Sequence, residues 1–285
     1  MLTIDQLSSM IPSNKEPEKW LPHLEELLPK YNINTRNRVA GFIAQCGHES
    51  RDFTTFHENM NYTWKALRRV FSRYFPTDAE AQKYHRKPQE IANIVYDDAN
   101  RINKLGNTEP GDGWRFRGRG LIQLTGRYNF ERFGRSIGKT AEEAVEYAST
   151  ERGAIETACW FWNEHNLNRF ADNDDIRGMS RAINGGTHGL KDRTNRYENA
   201  KRILSDFTTP SSNSTSKNVS SSISFTPLKR GNRNENVRKI QKALRIGEDG
   251  IFGRVTEASV KSWQRRNRFP PNGVVSERQF NQLTK

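Results

Sequence analysis

Cysteine is scarce in this sequence, which has only Cys46 and Cys159 among 285 residues. Two cysteines exclude a disulfide framework as the basis of the fold. Both lie in apolar helical patterns, which indicates small buried side chains, and a bridge between them is the alternative. The six histidines form no cluster with metal-ligand spacing, so we expect no metal site.

Long apolar runs are also missing. No run approaches the roughly eighteen apolar residues that a membrane-spanning helix needs. The N-terminal stretch MLTIDQLSSMIP has neither a basic region nor a long apolar run, so we expect no secretory signal. We therefore expect a soluble chain made in the cytoplasm, which would need a separate route to any substrate outside the membrane.

Charge, in contrast, is abundant and unbalanced, with 46 Lys+Arg, 33 Asp+Glu and a net charge of +13. Residues 226–285 hold 14 Lys+Arg and 5 Asp+Glu, a net of +9, so most of the basic character lies there. Nucleic acid, an anionic membrane and an anionic cell wall are all partners that fit such a surface. The aromatic residues of this segment have core spacing rather than that of a stacking platform, which disfavours nucleic acid.

The hydrophobic pattern of residues 1–207 predicts helices joined by short loops, and therefore a mainly all-α domain. Thr35, Thr63 and Thr77 are predicted to start helices, because a threonine hydroxyl can accept from the free amides of a first turn. The aromatic residues of the helix predicted after Glu151 are expected to lie in the core.

Composition changes at residues 208–225, which are rich in Ser, Thr and Asn and predict a flexible linker. Residues 226–285 predict a second domain of three short helices. Within it, residues 272–275 (NGVV) echo residues 249–252 (DGIF), which indicates a weak internal repeat. The segment holds no candidate acid/base pair, so it is interpreted as a binding module.

Two glutamates, Glu49 and Glu58, stand in the stretch FIAQCGHESRDFTTFHENMNY. Val39, Phe42 and Cys46 mark one apolar helical stripe, and Glu49 is the next position on it. The Glu49 side chain is therefore predicted to point where the core residues point. A carboxyl in apolar surroundings keeps its proton more readily, as a general acid must.

Glu58 follows nine residues later, so a straight helix would place it roughly 13 Å further along. Residues 52–55 (DFTT) favour a break, after which Glu58 could return to face Glu49. Paired carboxyls about 6.5–9.5 Å apart suit inverting hydrolysis of a glycosidic bond. The alternative is that both are solvated surface glutamates.

The segment FRGRGLIQLTGRYNF, residues 116–130, combines three glycines with neutral hydrogen-bonding side chains. Gln123, Thr125, Tyr128 and Asn129 could contact hydroxyl and acetamido groups of a sugar, or hold a water. The alternative is an ordinary loop followed by a helix whose first turn Thr125 caps.

Four blocks together resemble glycoside hydrolase family 19 in its bacteriophage endolysin branch. They are AQCGHES, HENMNY, GDGWRFRGRGLIQLTGRYNF and INGGTHGLKDR, in that order, and the resemblance covers roughly residues 35–205. The segments LKRGNRNENVRKIQKAL, DGIFGRVTEASVKSWQ and NGVVSERQFNQL resemble the type 1 peptidoglycan-binding domain. The resemblance implies a lysozyme-like, two-lobed helical catalytic domain and a small three-helix domain that binds cell wall.

The resemblance also implies roles for single residues. Glu49 matches the general acid, Glu58 the proposed general base, and Thr125 the hydroxyl that positions the attacking water. The residues implied to line the substrate cleft are His48, Tyr62, Gln123, Tyr128, Asn129, Asn184 and Arg193.

Two departures from the plant chitinases of this family stand in the sequence. The spacing between Glu49 and Glu58 is shorter, and His188 stands two residues beyond INGG, where those enzymes carry an acid. The chitinase-type network that holds the base is therefore not implied for this chain.

The function implied by the resemblance is that of an endolysin, an inverting, muramidase-type hydrolase of β-1,4 bonds in peptidoglycan that needs no cofactor. The alternatives are a chitinase, a lytic transglycosylase and a wall-binding protein without activity. We expect a monomer that stays in the host cytoplasm until a separate pore-forming holin admits it to the cell wall for host lysis. The arginines of RFRGRG could meet substrate carboxylates, or could be ordinary surface charge.

Overall fold

A computed structural model describes residues 2–207, 227–267, 269 and 271–284. These residues are mainly α-helical, and the β-structure among them consists of isolated bridges, so the all-α prediction is confirmed. No helix within them has the length and hydropathy that a membrane span requires. The chain divides into two compact units, Met1–Ser214 and Thr215–Lys285. The predicted linker, 208–225, lies outside the described residues.

The first unit contains thirteen helices and two short 3₁₀ turns among its described residues. The helices are α1 Ile4–Met10, α2 Leu21–Lys30, α3 Arg36–Glu49, α4 Trp64–Val70, α5 Asp78–Lys83, α6 Pro88–Val95, α7 Asp112–Arg115, α8 Arg127–Ile137, α9 Ala141–Tyr147, α10 Glu151–Glu164, α11 Asn168–Ala171, α12 Ile176–Asn184 and α13 Leu190–Ile203; the 3₁₀ turns are Pro17–Lys19 and Asp98–Asn100.

Threonine caps begin the helices where the sequence predicts them. The hydroxyls of Thr35, Thr63 and Thr77 accept from the third amide of α3, α4 and α5 respectively. At Thr77 the bond is reciprocal, because the Glu80 carboxylate accepts from the Thr77 amide in a capping box. These three helix starts are confirmed.

Helix α3 is the central element of the first unit. Its residues from Val39 to Gly47 are all buried, so it is surrounded by other helices rather than lying on the surface. It packs along α13 and also contacts α1, α11 and α12. Trp162 of α10 lies edge-on to Phe42 in the same core, as predicted for that aromatic helix. Glu49, the last residue of α3, is thus held in place by a helix that is buried along most of its length.

A separate core lies under α4, α5 and α6, formed by Met60, Leu67, Phe75, Ile91 and Val95 among others. Tyr62 and Tyr96 pack against its edge. The first unit therefore has an α3 lobe and an α4–α6 lobe with different hydrophobic interiors, and a third core formed mainly by α8, α9 and α10.

The second unit has the three predicted helices, α14 Glu235–Ala243, α15 Arg254–Arg266 and α16 Glu277–Leu283. Its core is small and includes Val237, Ile240, Phe252, Val260 and Val275. Basic side chains are numerous outside this core, so the unit has the charged exterior and apolar interior of a small folded module.

The predicted internal repeat is confirmed in three dimensions, with a buried glutamine at the centre of each copy. Gln241 Oε1 accepts from Gly250 N at 2.8 Å, and its Nε2 donates to Ile251 O at 3.0 Å. Gln264, 23 residues later, accepts from Gly273 N at 2.9 Å and donates to the next residue's carbonyl at 2.8 Å. Each glutamine therefore satisfies the backbone of one Asp-Gly or Asn-Gly turn.

Replacing Gln264 with leucine should lower the stability of the second unit by about 2–4 kcal/mol, because two buried backbone groups lose their partners. Hydrogen exchange of amides in residues 227–284 of the full chain measures this loss. Gln282→Leu on the exposed side of α16 is the matched control and should change stability by less than about 0.5 kcal/mol. Equal exchange in the two variants would contradict a structural role for Gln264.

Candidate active site

Glu49 lies at the end of α3 and is paired with an arginine. Arg193 of α13 donates from Nη2 to Glu49 Oε1, and the Arg193 side chain is only 2% exposed. The predicted stripe correctly orients Glu49, but the prediction of apolar surroundings for its carboxyl is wrong. The stripe shows which face of α3 Glu49 lies on, but not which side chains the neighbouring helix brings to that face. That helix is α13, and it brings the Arg193 guanidinium.

His48, next to Glu49, is fixed by a carboxylate and a glycine. Its Nδ1 lies 2.6 Å from Asp192 Oδ2. A Cβ on Gly189 would lie 2.3 Å from His48 Cε1, so the imidazole occupies the space that this glycine leaves free. Burial opposes ionisation of Asp192, but hydrogen bonds from His48 and Arg196 outweigh it and hold the Asp192 pKa below its usual value. Asp192 is not predicted from the sequence, although it lies in the block INGGTHGLKDR that carries the family resemblance.

The predicted break between the two glutamates is confirmed. Arg51, Asp52 and Phe53 all have left-handed backbone angles, with φ of 50°, 58° and 63°. Three consecutive residues of this kind end α3 and reverse the chain. The returning segment pairs with the glycine-rich segment: Glu58 N donates to Gly118 O at 3.0 Å.

The Glu58 carboxylate accepts from two fixed donors. Tyr96 OH lies 2.5 Å from Oε1, and Gly118 N lies 2.9 Å from Oε2. Both oxygens therefore act as acceptors, which suits a carboxylate rather than an acid with a proton to donate. Burial raises the pKa of Tyr96, and the charge of Glu58 raises it further, so this phenol stays protonated as a donor. Tyr96 is not predicted from the sequence, because it lies 38 residues from Glu58 and no local pattern relates the two.

Tyr62 lies near Glu58. Burial raises its pKa, and the nearby Glu58 charge adds to that shift. Its ring contacts Phe71 edge-on, with centroids 5.2 Å apart. The predicted cleft residue Tyr62 is thus held by the α4–α6 lobe together with the residues around Glu58.

Gln123 borders Glu58 across Gly118. A Cβ on Gly118 would lie 2.7 Å from Gln123 Oε1 and 3.2 Å from Glu58 Oε2, so a larger residue would push the Gln123 amide out of its present position. Gln123 has a left-handed φ of 53°, and its Nε2 donates to Gly120 O at 3.1 Å. The glycines of this segment therefore allow the close approach that the sequence predicts.

The hydroxyl proton of Thr125 is engaged in a hydrogen bond within the protein. Thr125 Oγ1 donates to Gln123 O at 2.9 Å, which leaves its lone pairs as acceptors. Asn129 Nδ2 donates to Thr125 O at 2.8 Å, and Tyr128 is 57% exposed. The alternative in which Thr125 caps a helix is wrong: α8 begins after Gly126, whose φ of 96° suits glycine, and no side chain caps it.

The predicted cleft residues Asn184 and Arg193 both bond to the backbone carbonyl of His188. Asn184 Nδ2 and Arg193 Nε each donate to His188 O at 3.1 Å. Asn184 Oδ1 also accepts from Gly186 N at 2.8 Å, which closes the turn after α12. At the position where plant chitinases carry an acid, this chain contributes a backbone oxygen to the arginine.

The three arginines of RFRGRG differ in their surroundings. Arg115 is exposed, as the alternative of ordinary surface charge predicts, whereas Arg117 and Arg119 are at least partly buried. Arg119 is buried and donates to Gly118 O and Ser149 Oγ, at 3.0 and 3.1 Å; burial and the neighbouring Arg117 lower its pKa to about 10. Arg117 lies over the Trp114 ring, 3.3 Å from its centroid. They brace the backbone that carries Gly118.

The predicted site residues are therefore positioned by two different parts of the first unit. Glu49, His48, Asn184 and Arg193 depend on α3, α12 and α13, whereas Glu58, Tyr62 and Gln123 depend on the α4–α6 lobe and the glycine-rich segment. Within the described part of the chain, no group of three His, Cys, Asp or Glu side chains is arranged to hold a metal ion.

Tyr96→Phe should lower the stability of the α4–α6 lobe by about 1–2 kcal/mol, because the Glu58 carboxyl loses the hydrogen bond from the phenol. Hydrogen exchange of the amides of α4, α5 and α6 in the full chain measures this loss. Tyr84→Phe, in the same α4–α6 core, is the control and should change stability by less than about 0.5 kcal/mol. Equal exchange in the two variants would show that the phenol contributes nothing to holding Glu58.

Comparison with known families identifies the second unit. Residues 233–283 match the family PG_binding_1, a peptidoglycan binding domain. The match spans all three helices of this unit, so the second unit is similar to a peptidoglycan-binding domain.

Similar proteins are also found for the first unit. Among solved structures, chitinase C from Streptomyces griseus HUT6037 is 19% identical with a TM-score of 0.49, covering 73% of this chain and 78% of that one. The class IV, family GH19 chitinase from Zea mays is 17% identical with a TM-score of 0.45, covering 71% and 90%.

A relative in sequence is a glycosyl hydrolase family 19 domain-containing protein of Haemophilus influenzae strain Rd. It is 42% identical over 170 residues, which make up 60% of this chain and 82% of the relative. Since the identity is high and extends over most of the relative, this chain belongs to glycosyl hydrolase family 19.

Proposed function

We propose that this chain is a phage endolysin that hydrolyses the β-1,4 glycosidic bonds of bacterial peptidoglycan, in the manner of a muramidase. The observation that carries the proposal is the union of a family 19 domain with a peptidoglycan-binding domain in one chain. A hydrolase that is linked to a wall-binding module meets its substrate wherever that module binds.

In the proposed reaction Glu49 is the general acid. Its Oε1 is oriented by Arg193, so the protonated oxygen that faces the leaving group is Oε2. Because α3 is buried along most of its length, the donor stays in place while the glycosidic bond breaks.

Glu58 is the proposed general base. With Tyr96 and Gly118 fixing its oxygens, it takes a proton from a water on the opposite face of the sugar. The lone pairs of Thr125 are free to accept the water's second proton in a hydrogen bond, because its own proton is bonded to Gln123 O. Attack from that face inverts the anomeric carbon.

The proposed substrate contacts are neutral or aromatic groups around these three residues, and no cofactor takes part. They are His48, Tyr62, Gln123, Tyr128, Asn129 and Asn184. The exposed Tyr128 ring offers a flat face to a sugar, and the amides of Gln123 and Asn129 can bond to acetamido groups.

We further propose that the protein acts in host lysis as a monomer. It would accumulate in the host cytoplasm until a separate holin opens the inner membrane, and then act on the wall. The net charge of +9 in residues 226–285 supports binding to the anionic wall, and an antimicrobial effect on exposed walls would follow from the same two activities.

Purified peptidoglycan incubated with the full chain should release fragments with reducible MurNAc ends, detected by mass spectrometry with and without borohydride. Glu49→Gln should release none, because its amide has no proton to donate as an acid. Reducible GlcNAc ends would instead indicate a glucosaminidase. Cleavage of chitin oligomers alone would indicate a chitinase that carries a wall-binding domain.

Glu58→Gln separates hydrolysis from lytic transglycosylation. A hydrolase loses activity with its base, by about 10²–10⁴-fold, whereas a transglycosylase needs one acid/base group and tolerates the change. Anhydro-MurNAc ends in the wild-type products would overturn the role given to Glu58.

A chain that ends at Phe207 should turn over soluble glycan fragments as fast as the full chain but bind sacculi more weakly. The difference should be largest at low salt, because screening weakens the attraction between basic and anionic surfaces. Pull-down with sacculi across a salt series measures it. Equal pull-down of both chains would remove the proposed role of the second unit.

A further inference from the structure

Arg193 donates to three acceptors inside the protein. Its Nη2 bonds Glu49 Oε1, its Nη1 bonds Gln45 Oε1 at 2.5 Å, and its Nε bonds His188 O at 3.1 Å. A planar guanidinium held on three nitrogens has a single orientation. Removing any of these acceptors would leave a buried donor without its partner.

Gln45 is the acceptor that the proposed mechanism does not use. It is fully buried and stands one helical turn before Glu49 on α3, so the two side chains share a face and one arginine can bridge them. Gln45 is therefore placed to hold Arg193 from the core side while Glu49 holds it from the cleft side.

The orientation of the Gln45 amide is fixed by a second bond. Its Nε2 donates to Ser180 Oγ at 3.2 Å, and Ser180 Oγ donates to Ile176 O at 2.8 Å. Because the serine proton is already used, the hydroxyl can only accept from Gln45, and the amide oxygen must face Arg193. Three helices, α3, α12 and α13, thus meet in this chain of bonds.

Charge distinguishes the three acceptors of Arg193. Gln45 contributes a neutral amide and His188 a backbone carbonyl, so Glu49 is the single charged partner among them. A carboxylate in place of the amide would share the arginine's charge and repel a negative charge on Glu49.

We propose that Gln45 is a positioning residue for the reaction: its neutral amide holds Arg193 from the core side and aims it at Glu49, which fixes the orientation of the acid. The inference rests on the proposed function for its kinetic consequence, but its effect on Arg193 is a property of the protein without substrate.

Two near-isosteric variants of the full chain test it. Gln45→Met removes the acceptor and should lower kcat by about 10- to 100-fold with KM within about twofold, because the acid is no longer held in place. Gln45→Glu restores an acceptor and should recover part of kcat, but it should move the alkaline limb of the kcat/KM profile upward by at least about one pH unit. Gln89→Glu, the same change on an exposed turn of α6, is the matched control and should shift the limb by less than about 0.2 unit.

A measurement without substrate separates this inference from the proposed function. By ¹⁵N NMR of the full chain, the buried Arg193 Nε–H should exchange slowly with solvent. Gln45→Met should speed this exchange by at least about tenfold, Gln45→Glu should restore slow exchange, and Gln89→Glu should leave it unchanged. If the wild type cleaves neither peptidoglycan nor chitin oligomers, the proposed function fails while this exchange still tests Gln45. Unchanged Arg193 exchange in Gln45→Met, or a Gln45→Met enzyme that is folded by circular dichroism and keeps wild-type kcat, would overturn the inference.

Discussion

The buried charge of Arg193 is the constraint on which the rest of the catalytic unit depends. An arginine that is 2% exposed is tolerable only if its donors are bonded, since a buried charge without partners costs several kcal/mol. Glu49, Gln45 and the His188 carbonyl each accept a hydrogen bond from one of its three nitrogens. Helices α3 and α13 must therefore pack in one register, and the position of the acid follows from that register.

The proposed base, Glu58, is held in place by hydrogen bonds rather than by a helix. Glu58 belongs to an irregular segment, so no helix sets its position. Two hydrogen bonds with the Gly118 backbone, one to the Glu58 amide and one to its carboxylate, take the place of a helix, and the Tyr96 phenol of the α4–α6 lobe adds a third anchor. A Cβ at position 118 would displace the Gln123 side chain and crowd Glu58.

Much of this arrangement could be predicted from sequence, because its signals are local. The stripe from Val39 to Cys46, the threonine caps, the break after Glu49 and the duplicated turns are each read within a few residues. The pairs Glu49–Arg193 and Glu58–Tyr96 could not be predicted in this way. Their partners are far apart in sequence and carry no shared periodicity, so only the packing of helices brings them together. The failed prediction of an apolar environment for Glu49 has the same cause.

The separation of the two lobes' cores has a consequence for how the protein responds to heat. Proteins open locally in cooperative pieces, and the core under α4, α5 and α6 has far fewer buried residues than the core around α3. Opening of that piece would release Tyr96 and with it one anchor of Glu58, while α3 and Glu49 stayed folded. Inactivation and global melting are then distinct events: such a molecule would retain most of its helix content and its acid after it had lost the group that activates water.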